Sequence, residues 1–110
     1  MQAKVDINAG ICGFRTTARV TSDDSQNVSF VIDSDCEKIR AVAARLQTHG
    51  PIDAYQEISP VAGSVMLTAA RETLKGCCAG CAVPAGLFKA MQVAAGLALP
   101  QDITIRLSAE

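Results

Sequence analysis

The stretch RTTARVTSDDSQNVSFVID, residues 15–33, contains two segments with regular apolar spacing, separated by a short polar run. In the second segment Val28, Phe30 and Ile32 fall on one face, which is typical of a half-buried strand. The polar run DDSQN, residues 23–27, has the composition of a turn. The stretch therefore predicts an antiparallel pair of strands, and the neighbouring segments extend it in both directions.

An earlier segment, AKVDINA at residues 3–9, alternates in the same way and predicts a first strand. It is followed by GICGF, residues 10–14, whose two glycines indicate a tight loop. Three consecutive strands with short links are typical of an antiparallel meander.

Three helices are expected after the meander. Residues 34–50 carry apolar side chains at helical spacing and end at a glycine. A second helix is predicted from about Val61 to Lys75, and a third begins near Pro84, which suits a first helical turn. Between the first two helices, PIDAYQEISP at residues 51–60 is a proline-bounded connection. Its pattern does not decide its conformation, and an extended middle is one interpretation.

The segment DITIRL, residues 102–107, alternates Ile103, Ile105 and Leu107 with polar residues and predicts a last strand. The resulting order β-β-β-α-α-α-β predicts an α+β two-layer sandwich, in which helices cover one face of a mostly antiparallel four-stranded sheet. A length of 110 residues fits one domain, spanning residues 1–110. The other sheet face, with Thr17 and Arg19, is expected to meet solvent or to form a homodimer contact.

Charge and composition exclude several classes of partner. The 10 basic and 11 acidic side chains nearly cancel and are scattered, so neither nucleic acid nor an anionic membrane is expected as a partner. The start of the chain lacks a secretory signal pattern, and no stretch approaches the roughly 20 apolar residues of a membrane-spanning helix. The composition therefore predicts a soluble, cytoplasmic protein.

The segment GCCAGCAVP, residues 76–84, holds three of the five cysteines and includes a C-x-x-C spacing from Cys78 to Cys81. This spacing is compatible with a metal site, a redox pair, part of a disulfide framework or small buried side chains. A disulfide framework is disfavoured because structural disulfides are rare in the cytoplasm and the cysteine count is odd. Cys77 is expected to face the core or to act as an alternative ligand.

Strand order brings the other cysteines towards this segment. In a meander, the loop after the first strand, with Cys12, and the exit of the third strand, with Cys36, lie at the same end of the sheet. If the first two helices run antiparallel, the cluster with Cys78 and Cys81 reaches that end too. Four thiolates suit a tetrahedral ion, so we expect these four cysteines to bind zinc or an iron-sulfur cluster.

Nearby cations are expected to offset the negative charge of four thiolates, and the candidates are Arg15, Lys38, Lys75 and Lys89.

Two alternatives remain. A thiol redox or sulfur-relay protein would use Cys78 and Cys81, although Pro84 places both before the third helix, where its dipole reaches them poorly. An interaction domain would use its cysteines only for packing. The sequence shows no Ser/His/Asp set and no phosphate-binding loop, which disfavours a conventional hydrolase or nucleotide enzyme but leaves enzymatic activity open.

Four landmarks carry a resemblance that spans Cys12 to Asp102: CGFRT at 12–16, SDCEKI at 34–39, CCAGCAVP at 77–84 and GLALPQD at 96–102. With them the chain resembles a small prokaryotic domain family that is known from genome sequences and has no assigned function. The resemblance implies a compact α+β domain in which the four proposed ligands occupy recurring cysteine positions. It favours a metal or iron-sulfur site over cysteines that only pack, and it supplies no substrate or reaction.

Overall fold

Three long strands form an antiparallel meander in the computed structural model, which describes residues 1–59 and 61–110. The strands are β1 (Gln2–Asn8), β2 (Arg15–Thr21) and β3 (Asn27–Ser34). Ala18 in β2 lies opposite Val5 in β1 and Ile32 in β3, so inward-facing positions are in register across the sheet. The predicted meander is confirmed.

The remaining elements follow in the order α1 (Glu37–His49), β4 (Ile52–Asp53), α2 (Ala54–Ile58), α3 (Val65–Thr73), a 3-10 helix (Gly76–Gly80) and α4 (Val83–Ala94). The strand order in the sheet is β1-β2-β3-β4, and every pairing is antiparallel. α1 packs on β3, whereas α4 packs on β1 and β2. The predicted α+β class, a four-stranded antiparallel sheet with helices packed against it, is confirmed.

The fourth strand is not the one that the sequence predicts. Ile52 and Asp53, inside the connection at residues 51–60, pair with Val28 and Asn27 and form β4. The segment 102–107 forms no strand with the rest of the described chain. Alternation shows which side chains of a strand share a face, but it does not determine which strand pairs with which. The pairing of β4 with β3 is favoured because it buries Ile52, which is only 1% exposed. Pro60, predicted to bound the connection, lies outside the described residues.

The turn between β2 and β3 is organised by a single carboxylate. Asp24 accepts hydrogen bonds from the backbone amides of Gln26 and Asn27, at 3.0 and 2.7 Å, and from the Asn27 side-chain amide at 2.9 Å. These bonds, led by that of the Asn27 side chain, lower the pKa of Asp24 from 3.8 to about 2. The polar turn predicted at this position is confirmed.

Helix α3 begins later than predicted because a buried carboxylate fixes its first turn. Glu57 is only 2% exposed, and its oxygens accept hydrogen bonds from the Ser64 hydroxyl and from the amides of Val65 and Met66, at 2.8 to 2.9 Å. Ser64 in turn accepts a bond from the amide of Leu67 at 3.0 Å. Together they satisfy amides that a helix N-terminus leaves without partners.

We expect Glu57→Gln to lower the free energy of unfolding by about 1–3 kcal/mol, measured by urea denaturation. A glutamine side chain keeps one acceptor oxygen but turns an NH₂ group towards a buried donor. Glu72→Gln is the matched control, because Glu72 forms only an exposed ion pair with Arg45, worth about 0.2–1 kcal/mol. Equal losses in the two variants would show that the buried carboxylate does not stabilise α3.

One stretch of the chain is both long and apolar, and only part of it lies in the core. By length and composition alone, the 19 residues Gly76–Ala94 could cross a membrane, contrary to the expectation from sequence. In the fold they form two separate elements, and the buried side of α4 belongs to the hydrophobic core. Gly86 allows close packing here, because a Cβ atom at this position would lie 2.5 Å from Cδ1 of Ile7.

Candidate metal centre

The cysteines lie where chain segments meet at one end of the sheet. Cys12 is in the loop between β1 and β2, Cys36 directly precedes α1, and Cys78 and Cys81 belong to the 3-10 helix and the residue that follows it. A direct contact joins two of these segments, because Nζ of Lys38 in α1 lies 3.4 Å from Sγ of Cys78.

Burial separates the cysteines into two groups. All five are free thiols: Cys36, Cys78 and Cys81 are half-buried and pack against the core, whereas Cys12 and Cys77 are exposed. Of the two roles predicted for Cys77, facing the core is therefore wrong, and acting as an alternative ligand stays a prediction. Its neighbour Cys78 takes the inward position, because adjacent residues of a 3-10 helix point in different directions.

Electrostatics links the four candidate ligands. Burial raises the pKa of the Cys81 thiol, and Coulombic repulsion from Cys12, Cys36 and Cys78 acts in the same direction. A hydrogen bond with the backbone of Val83 acts the other way. A thiolate at Cys81 is thus disfavoured by its own surroundings, and a bound cation would reverse that penalty.

A buried hydroxyl pair positions Cys36. The Thr16 and Ser34 hydroxyls lie 2.8 Å apart and connect the start of β2 to the end of β3. The amide of Cys36 then donates to the Ser34 hydroxyl at 3.1 Å. This hydroxyl pair was not predicted from the sequence. The sequence feature that indicates it is a hydroxyl residue at an inward position of each strand.

Tight turns position the other cysteines. Gly10 and Gly13 have φ of 92° and 74°, and the amide of Gly13 donates to the carbonyl of Gly10 at 2.9 Å, which closes the loop that carries Cys12. The amide of Cys81 donates to the carbonyl of Cys78 at 3.1 Å, so the C-x-x-C segment is itself a turn. Both cysteines precede α4, as the sequence predicts.

The positive charge beside the cysteines comes from Lys38. Among the four cations expected to offset thiolate charge, Lys38 is the one for which the described residues show a contact with a cysteine sulfur. An ammonium group at this distance stabilises nearby negative charge.

The cysteines lie at one end of the sheet, but their side chains do not form a complete metal site within the described residues. Within residues 1–59 and 61–110, no group of three or more Cys, His, Asp or Glu side chains has the arrangement of a formed metal site. The donor set nevertheless suits zinc or iron, which prefer thiolates. Cys12 lies on an exposed loop, and no atom lies within 4 Å of a Cβ placed on Gly10 or Gly13, so the loop has room to adjust.

A comparison with models of protein families matches residues 3–107 to a single family. The chain belongs to the family of unknown function DUF6951. The match confirms the resemblance to a domain family without an assigned function, and it covers every strand and helix of this DUF6951 protein except the first residue of β1. Comparisons with curated proteins and with solved structures gave no match. Membership in DUF6951 therefore assigns no chemistry to this protein.

Proposed function

We propose that this protein is a metal-binding module that holds a zinc ion or an iron-sulfur cluster through Cys12, Cys36, Cys78 and Cys81. The observation that carries the proposal is positional: Cys12, Cys36 and the C-x-x-C segment come from distant parts of the sequence to one end of the sheet, where Lys38 contacts Cys78. Burial is the main cause of the raised pKa of Cys81, and the sulfurs of Cys12, Cys36 and Cys78 add to it. Binding would need movements that bring the sulfurs to one ion, because the described residues show no formed metal site.

Each cysteine has a distinct part in the proposed site. Cys78 and Cys81 would bind one ion from a single turn, Cys36 would approach from the start of α1, and Cys12 would close the site from its loop. Lys38 would offset part of the negative charge of the thiolates. Zinc would supply a structural cross-link between these segments, and an iron-sulfur cluster would supply electron transfer.

Four protein ligands leave no position for a substrate, so the proposed role is structural or electron-carrying rather than enzymatic. A cytoplasmic location suits this role, because a reducing compartment keeps the thiols available for metal.

Thiol exchange or sulfur relay by Cys78 and Cys81 is the second candidate. The contact between Lys38 and Cys78 favours it, because a cation beside the first cysteine of a C-x-x-C segment assists thiol chemistry. The position of both cysteines before α4 weighs against it, because the helix dipole reaches them poorly. Purely structural cysteines fit less well, because Cys12 is exposed and contributes no buried packing.

Anaerobic titration with cobalt(II), a spectroscopic substitute for zinc, tests the proposal. We expect about one cobalt per chain, with intense thiolate-to-metal charge-transfer absorption and the visible bands of tetrahedral coordination. Binding should weaken as the pH falls, because the metal must displace protons from the thiols, and the raised pKa of Cys81 makes this competition stronger.

Two variants make the titration decisive. Cys12→Ser should lose the four-thiolate spectrum, whereas Cys77→Ser, which alters an exposed cysteine outside the proposed ligand set, should keep it. If Cys12→Ser binds cobalt like the wild type, the four-cysteine site is wrong. If it also leaves disulfide-reductase activity intact while Cys78→Ser abolishes that activity, thiol exchange is the better account.

A further inference from the structure

The segment after α4 has the pattern of a strand but no partner within the described chain. Residues 99–110 are exposed and form neither helix nor strand. Within them Ile103, Ile105 and Leu107 are 55%, 65% and 94% exposed, although they alternate with polar residues as the inward side of a strand does. We call residues 102–107 the C-terminal arm. Three aliphatic side chains in one exposed row usually mark a contact surface.

The edge of the sheet at β1 offers a matching site. β1 begins the strand order, so within the described residues its outer edge has no neighbouring strand. Its inward residues Val5 and Ile7 are only half-buried, whereas Ala18 and Val20 in the adjacent β2 are 2% and 0% exposed. An open edge with unpaired backbone groups and incompletely covered apolar side chains is a template for one more strand.

We propose that the C-terminal arm of one copy adds as a fifth strand to the β1 edge of a second copy, and that the exchange is reciprocal. In this homodimer the arm's aliphatic row would cover the half-buried side of β1. The strand predicted from the sequence at residues 102–107 then forms, but with another chain. This proposal does not depend on metal binding.

A second copy is the favoured occupant for two reasons. The family match runs from residue 3 to residue 107, so the arm and the edge belong to one family unit and every copy carries both halves of the contact. The charges on the polar sides are also complementary. A parallel register that places Asp102 beside Lys4 puts Arg106 beside Asn8, two positions along β1 from Asp6 and within diagonal reach of it.

The edge is a better site for a dimer than the open face of the sheet. The outward residues Arg19 and Thr21 of β2 are exposed and polar, in keeping with a solvated face. Val31 of β3 is exposed on this face as a single apolar side chain opposite Arg19, whereas β1 carries a row of half-buried ones, Val5 and Ile7. The homodimer expected from the sequence is thus retained in this proposal, with a different contact.

Sedimentation velocity of the full chain under reducing conditions, with two arm variants, tests the proposal. We expect the wild type to be a dimer and Ile105→Asp to be a monomer, with at least a hundredfold weaker association. Thr104→Asp is the matched control, because it adds the same charge on the polar side of the arm, and it should remain dimeric. Both positions are exposed on the single chain, so neither change should disturb the body of the fold.

Hydrogen exchange identifies the surface that the arm covers. The outward-facing amides of β1 should exchange slowly in the wild type and faster in Ile105→Asp. A wild type that is monomeric at high concentration, or a dimer that Ile105→Asp leaves intact, would overturn the proposal. A monomer with a protected arm would also overturn it, because the arm would then dock on its own chain.

Discussion

Replacing Cys81 with serine is expected to abolish tight metal binding, from about one ion per chain to none. Cys81 is a half-buried member of the C-x-x-C pair, and burial, with a smaller contribution from Cys12, Cys36 and Cys78, raises the pKa of its thiol. A serine hydroxyl is a poor ligand for zinc or iron and does not ionise near neutral pH. Metal content after gel filtration, measured by mass spectrometry, gives the result directly.

Cys77→Ser is the matched control for this substitution. Cys77 lies close in sequence and undergoes the same chemical change, but its side chain is exposed and outside the proposed ligand set. It should retain the metal content of the wild type. Loss of metal from both variants would instead indicate that any change in this segment disturbs the site, and retention in both would exclude Cys81 as a ligand.

Leu87→Ala is expected to lower the free energy of unfolding by about 2–5 kcal/mol. Leu87 is 1% exposed and lies on the buried side of α4, which packs on β1 and β2. Truncation removes buried apolar surface and leaves a cavity that the sheet fills only in part. Urea denaturation, with the slope of the transition compared between proteins, measures the loss.

Lys89→Ala serves as the control on the same helix. Lys89 is exposed, so its replacement should change the free energy of unfolding by no more than about 0.5 kcal/mol. Similar small effects for both variants would contradict the packing of α4 on the sheet.

The parts of the fold that could be predicted depend on local patterns. The meander was predicted because each strand alternates and the links are short, and α1 because its apolar spacing and final glycine agree. The fourth strand could not be predicted, because the pairing of strands depends on residues that are distant in the sequence. Ile52 and Asp53 form too short a segment to show a period, whereas residues 102–107 show a clear period but find no partner within the described residues.

In the candidate site, too, some features could be predicted from the sequence and others could not. The direction of each strand indicated that Cys12 and Cys36 lie at one end of the sheet. The approach of the C-x-x-C segment to that end depended instead on the course of the helices. The exposure of Cys77 could not be predicted, because it depends on the exact turn of the 3-10 helix. The contacts made by Glu57 were also missed, because a buried carboxylate and an exposed one look alike in a sequence.

The most direct test of the four-cysteine site is elemental analysis of the wild-type protein, purified without oxygen and without a histidine tag. We predict about one zinc per chain, or several irons with a matching amount of sulfide. A metal-free protein in which all five thiols titrate would contradict the proposal, and the C-x-x-C pair would then have to be examined as a redox centre.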